Sequence, residues 1–181
     1  MKKAVKNFLI PIIAGTAFLL FLAVSLADLW RESKTEVGMI IAKDVVLLRD
    51  VLHRIHRDCT IIDFDDQKSS INFLNVGSFA GSEVGPMNLV HPEKWQGPYL
   101  EDNPTMQKIA YQVVTTDKGY FVTPGDGVKL PNGKIVGTDI ILDRKADVAA
   151  LARNKEAMLF KDRPLAVPLK LGAPANIQFF P

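Results

Sequence analysis

His53, His56 and Cys59 fall three residues apart, and their nitrogen and sulfur donors are the set that binds zinc. On a helix each step of three residues turns about 60° off line, so the first and last donors diverge, and no fourth ligand is evident. Two histidines near a helix C-terminus also complement the helix dipole without any metal. Asp63, Asp65 and Asp66 form an acidic cluster, and Asp117 and Asp126 sit in turn-like stretches. Calcium takes carboxylate oxygens from such loops, which makes Asp117 and Asp126 its candidates. The spacing matches no calcium loop, and aspartates in turns also bond their own backbone. Apart from that calcium, no cofactor is expected.

Covalent chemistry has little to stand on. There is no G-x-S-x-G, P-loop or H-E-x-x-H, and His91 has no evident nucleophile to serve. Neither an enzyme nor a small-molecule substrate is expected. The net charge of +2 over 181 residues leaves no broad basic face for nucleic acid. The single cysteine excludes an intrachain disulfide.

The elements that would position these groups begin with "FLIPIIAGTAFLLFLAVSLA", Phe8 to Ala27, which contains no charged residue. About 20 apolar residues match the hydrocarbon thickness of a bilayer. Lys2, Lys3 and Lys6 precede the run and favour a cytoplasmic N-terminus, and Trp30 suits the membrane interface beyond it. A cleaved signal peptide is the rival, since Ser25-Leu26-Ala27 resembles a cleavage site. The run is longer than the usual signal core, which favours a retained anchor over residues 1–27. Pro11 is placed in the first turn of the helix, which is predicted to start near Phe8.

Past the polar "DLWRESKTE", Val37, Ile41, Val45, Leu48, Leu52 and Ile55 recur at spacings of three and four. This is the packing face of an amphipathic second half, residues 28–58, continuous with the anchor. Residues 59–107 read as a connecting region in which "TIIDF" and "SINFLNV" are short extended pieces. From 108 to 181 an antiparallel sheet is predicted, with hairpins at Asp117-Lys118-Gly119 and Pro131-Asn132-Gly133. A short helix near 144–158, capped by Asp143, and a last edge strand in "PLAVPLKLG" follow. The fold class is α+β, a long N-terminal helix packed on a small antiparallel sheet.

Between helix and sheet lies "HPEKWQGPYLEDNP", residues 91–104. Trp95 and Tyr99 there either present a recognition surface or plug the helix–sheet core, with Gly97 and Pro98 turning both rings inward; the plug is favoured.

The whole outline resembles the type IV pilin class. "PEKWQGPYLEDNP" is similar to the loop of the type II secretion pseudopilins, with Trp95, Gly97, Pro98, Tyr99 and Leu100 as its motif, and "AYQV" sits where that family begins its first sheet strand. The chain is a divergent member of that pattern. Asn7 stands before Phe8 where the family carries Gly, and Ile12 holds the fifth position where the family carries Glu. The Asp-Pro-Trp-Gly motif that often follows the loop is also absent.

The resemblance implies a pilin-like structural subunit of an export or pilus-like assembly, acting by helix packing with other pilin-like subunits and with membrane lipid. It implies a single-pass inner-membrane protein with a periplasmic C-terminal domain. The alternatives are a membrane-tethered periplasmic adaptor or peptide-binding module, and a secreted soluble domain if residues 1–27 are removed.

Overall fold

The computed structural model describes residues 2–172, with side chains from Gly15 onward except that of Trp30. Its first element, α1, is Lys2–Cys59. This begins earlier than the sequence pattern predicts, so Pro11 lies inside the helix rather than in its first turn. A proline there supplies no N–H to the carbonyl one turn earlier. The helix ends where Thr60 turns to a left-handed φ of 56° and its N–H donates to the His56 carbonyl at 2.9 Å. That bond satisfies one of the carbonyls a helix end leaves without an intrahelical donor.

The chain divides into two compact units, Met1–Glu36 and Val37–Pro181. In the first, large apolar side chains stand in solvent on every side of α1. Phe18, Leu19, Leu20 and Phe21 are consecutive and 61–70% exposed. At 100° per residue, four in a row cover most of the circumference. Among the described residues no helix is long and apolar enough to cross a membrane. The side chains of residues 8–14, the first part of the uncharged run, lie outside that description.

In the second unit α1 is one-sided. Ile41, Val45, Leu48, Leu52 and Ile55 are fully buried and Val37 is half-buried, while Lys43, Asp50, Arg54 and Arg57 are exposed. After the helix come β1 (Ile61–Phe64), β2 (Lys68–Ser70), β3 (Glu83–Val84) and β4 (Met87–Leu89). Strands β1, β4 and β3 form an antiparallel sheet in the order β1-β4-β3. Its register breaks between Ile61 and Asp63, so Ile62 and Asp63 both face outward. The region 59–107 is therefore more than a connection. Of "SINFLNV" only Ser70 lies in a strand, as the last residue of β2, whose buried residue is Ser69.

A two-stranded hairpin, β5 (Thr105–Met106) and β6 (Ile109–Ala110), precedes the central hairpin of β7 (Gln112–Thr116) and β8 (Gly119–Thr123). The predicted Pro131-Asn132-Gly133 hairpin is reduced to a single bridge between Lys129 and Ile135. The helix expected at 144–158 is one turn, α2 (Val148–Leu151). Asp147, not Asp143, caps it, accepting from the Ala150 N–H at 3.0 Å. Asp143 is held in its own turn by the Lys145 N–H, and Asn154 begins another by accepting from the Glu156 N–H, so the flanks cannot continue the helix.

Finally β9 (Leu159–Phe160) and β10 (Arg163–Pro164) form a small hairpin, and β11 (Val167–Leu169) is the expected edge strand. The main sheet is antiparallel in the order β11-β8-β7-β2, so it recruits strands from both ends of the domain. Buried residues of α1, of β7 and β8, and of the 128–142 segment share one core. The fold is α+β, with α1 from Val37 onward packed on antiparallel sheets.

Candidate functional site

The 91–104 loop is built around Trp95. After a single 3₁₀ turn at Pro92–Lys94, the indole Nε1–H donates to the Val76 carbonyl at 3.0 Å. The Phe79 and Tyr99 rings meet the indole edge-on, with centroids 5.3 and 4.8 Å away. Edge-to-face pairs of this kind are favoured by the ring quadrupoles. A Cβ on Gly97 would stand 2.1 Å from the Val76 oxygen and 2.3 Å from Trp95 Nε1. Only glycine lets that hydrogen bond form, which gives the Gly of the motif its reason. The Gly97–Pro98 peptide is cis.

The N–H groups of Tyr99 and Leu100 both donate to the Leu74 carbonyl, at 2.8 and 3.1 Å. Asn103 accepts from the Leu74 N–H and donates to the Asn72 carbonyl, each at 2.9 Å. Trp95, Tyr99 and Leu100 are half-buried and pack against the core, and the Arg54 guanidinium lies 5.4 Å over the Tyr99 ring. The rings therefore brace the loop against α1 and the 72–76 segment.

The same loop explains Cys59. The thiol is fully buried, and burial is the main force raising its pKa and that of the nearby Tyr99 phenol. His56 is half-buried and accepts from the Ile61 N–H at Nδ1, at 3.1 Å. Burial first, then the neighbouring His53, lowers its pKa. His56 is thus committed to the backbone at the helix end. Among the described residues no group of three or more His, Cys, Asp or Glu is placed to hold a metal ion.

Asp117 and Asp126 flank opposite ends of β7 and cannot share an ion, because five strand residues span roughly 16 Å. Asp126 accepts from Lys68 Nζ at 2.6 Å and from Gln112 Nε2 at 3.1 Å. Asp117 lies 3.7 Å from Arg144 Nε. Asp63 and Asp65 both accept from the Asn88 amide at 2.8 Å. His91 faces Glu93 at 3.3 Å, a pairing that activates no nucleophile.

The predicted packing face, Val37 through Ile55, is consumed within the chain's own core, so it is closed to other subunits. The side chains of Lys2, Lys3, Lys6 and Trp30, assigned to the membrane interface, lie outside the described residues. Three features escaped the pattern. Asp44, on the charged side of α1, accepts from the buried Tyr111 hydroxyl at 2.8 Å, and burial with Asp44 drives the phenol's pKa upward. Gly38 receives the Phe160 ring, which a Cβ would approach to 2.3 Å. A polar cleft also opens beside Thr115. Gly38 was the one visible signal, as the only glycine in the amphipathic half of α1, residues 28–58.

The aromatic loop and the one-sided part of α1 pack into the same core. No protein-family model, curated protein or solved structure matches the chain.

Proposed function

We propose that the protein is a single-pass, membrane-anchored structural subunit of pilin-like plan. Its C-terminal domain lies on the periplasmic side, and it works in an export assembly by packing its N-terminal helix against like subunits and lipid. The observation that carries this reading is the change in α1 near Glu36. From Phe18 to Leu29 large apolar side chains are exposed all round, and beyond Glu36 most are buried along one stripe, with Ile40 and Leu47 outside it. A helix apolar on every side needs an apolar environment. Because the later stripe is already covered, intersubunit packing must use the earlier segment, around Phe18 to Leu29.

The test is fractionation of native protein with N-terminal sequencing. A carbonate-resistant membrane pool beginning at Met1 or Phe8 is expected. A soluble pool beginning at Asp28 overturns the anchor and leaves a secreted domain. Cysteines introduced at Phe18 and Phe21 in a Cys59→Ala background should crosslink into dimers in membranes. Monomer at every position would replace assembly with a tethered adaptor.

A further inference from the structure

The junction of α1 and β1 is held by a histidine that can hold it only while neutral. His56 Nδ1 accepts from the Ile61 N–H at 3.1 Å, so that nitrogen carries no proton of its own. Between the two, Thr60 sits at a left-handed φ of 56°. A β-branched residue there is strained, and such a conformation persists only where its surroundings impose it. The Ile61 bond to His56 and the Thr60 N–H bond to the His56 carbonyl, at 2.9 Å, both impose it.

This strained turn carries the stem of the aromatic loop. The Thr60 carbonyl accepts from the Val90 N–H and the Cys59 carbonyl from the His91 N–H, each at 2.9 Å. A movement of Thr60 therefore reaches residues 90 and 91, where the 91–104 loop begins.

The surroundings of His56 do not favour a proton on it. The imidazole is half-buried, and His53, one turn earlier, opposes a second positive charge. Its other nitrogen, Nε2, faces Gly172, where a Cβ would stand 3.9 Å away and no side chain offers an acceptor. The carboxylates of the adjoining elements are engaged elsewhere: Asp58 with Arg57, Asp63 with Asn88, and Glu93 with His91. Lys170, two residues before Gly172, is exposed.

We propose that the α1–β1 junction is an acid-released latch. Protonation of His56 turns Nδ1 from acceptor to donor and sets it against the Ile61 N–H. The strained turn at Thr60 then opens together with the loop stem, while the main sheet stays folded. Release belongs below about pH 6.5, the ordinary histidine value, because burial and His53 both hold His56 under it. The latch is independent of the membrane-anchor reading, because every residue in it lies in the second unit.

The test is amide hydrogen exchange by NMR on purified full-length protein at about pH 7.5 and about pH 5, with ring-nitrogen spectra of His56. At the higher pH the ring should be neutral, with its proton on Nε2. At the lower pH the protection factors of Ile61, Val90 and His91 should fall at least about tenfold, while those of Val113 and Val114 hold. His56→Asn places a side-chain oxygen near the Nδ1 position that accepts at either pH, so protection should lose its pH dependence. His53→Gln should keep the response and move it to higher pH. Equal protection of the junction at the two pH values overturns the proposal, as does a proton on Nδ1 at the higher one. An equal loss at Val113 and Val114 is global acid unfolding and overturns the latch. A full response in His56→Asn assigns the effect to another group and overturns the role of His56.

Discussion

One helix carries two leucine-rich regions that behave oppositely. Between Phe18 and Leu29 the large side chains stand exposed, whereas Ile41, Val45, Leu48, Leu52 and Ile55 are fully buried and Leu47, off their stripe, stays exposed. The presence of large apolar residues does not set the difference, since both regions are rich in Leu. Periodicity sets it. The first region is apolar at every angle, and the second confines its apolar residues to one stripe with charges opposite. A stripe tells the chain where to fold back on itself, while an all-round apolar surface carries no such instruction and depends on its surroundings.

The comparison breaks most readily through paired truncations. Leu52→Ala, in the stripe, is expected to destabilise the domain by roughly 2–5 kcal/mol in urea unfolding. Leu20→Ala, 69% exposed, should stay within about 0.5 kcal/mol in the same assay. Equal losses would mean that the two regions are not distinct. The next largest effect is expected for Tyr111→Phe. It removes the hydroxyl that reaches Asp44 on the second region, a loss of about 1.5–3 kcal/mol for a bond to a charged partner. Gly38→Ala and Gly15→Ala sharpen the contrast further. A Cβ on Gly15 meets nothing within 4 Å, so alanine there should only favour the helix, by about 1 kcal/mol. At Gly38 the same gain is offset by collision with Phe160, and overpacking of about 1–3 kcal/mol should make the change net destabilising. Adding Phe160→Ala should remove that collision.

The smallest effect is a pH dependence confined to the end of the second region. His56 has a folded pKa below its unfolded value of about 6.5, so the unfolded chain takes up its proton first as pH falls. Its contribution to stability is present above about pH 6.5 and declines as pH falls toward the folded value. His56→Gln should flatten this part of the stability–pH curve, and unchanged curvature would assign the effect elsewhere.

Much of this was legible in the residues. The stripe on α1, the β7–β8 turn and the proline-bearing edge strand follow from period, turn chemistry and the missing proline N–H. The strand order of the main sheet was not legible. Strand β2 is only three residues, and its place beside β7 depends on a pairing, Ser69 with Val113, that no local pattern announces. The 144–158 helix failed for a local reason, because Asp143 and Asn154 use their side chains on their own backbone and compete with helical bonds. The aromatic loop was visible as a unit, but its anchor was not. Val76 offers a carbonyl, which every residue does. The Thr115 cleft had no sequence signal, since it arises where two distant turns meet.

The strand order has a consequence for how the chain emerges from the ribosome. The stripe Ile41–Ile55 is made early, its β7 cover starts only at Gln112, and the main sheet is not completed until Val167–Leu169. Throughout that interval a helix with one sticky side waits beside a segment sticky on all sides. The growing chain therefore has a vulnerable period set by topology rather than by stability, during which a holding chaperone or prompt delivery of the N-terminal segment to an apolar phase would matter more than any single contact in the finished fold.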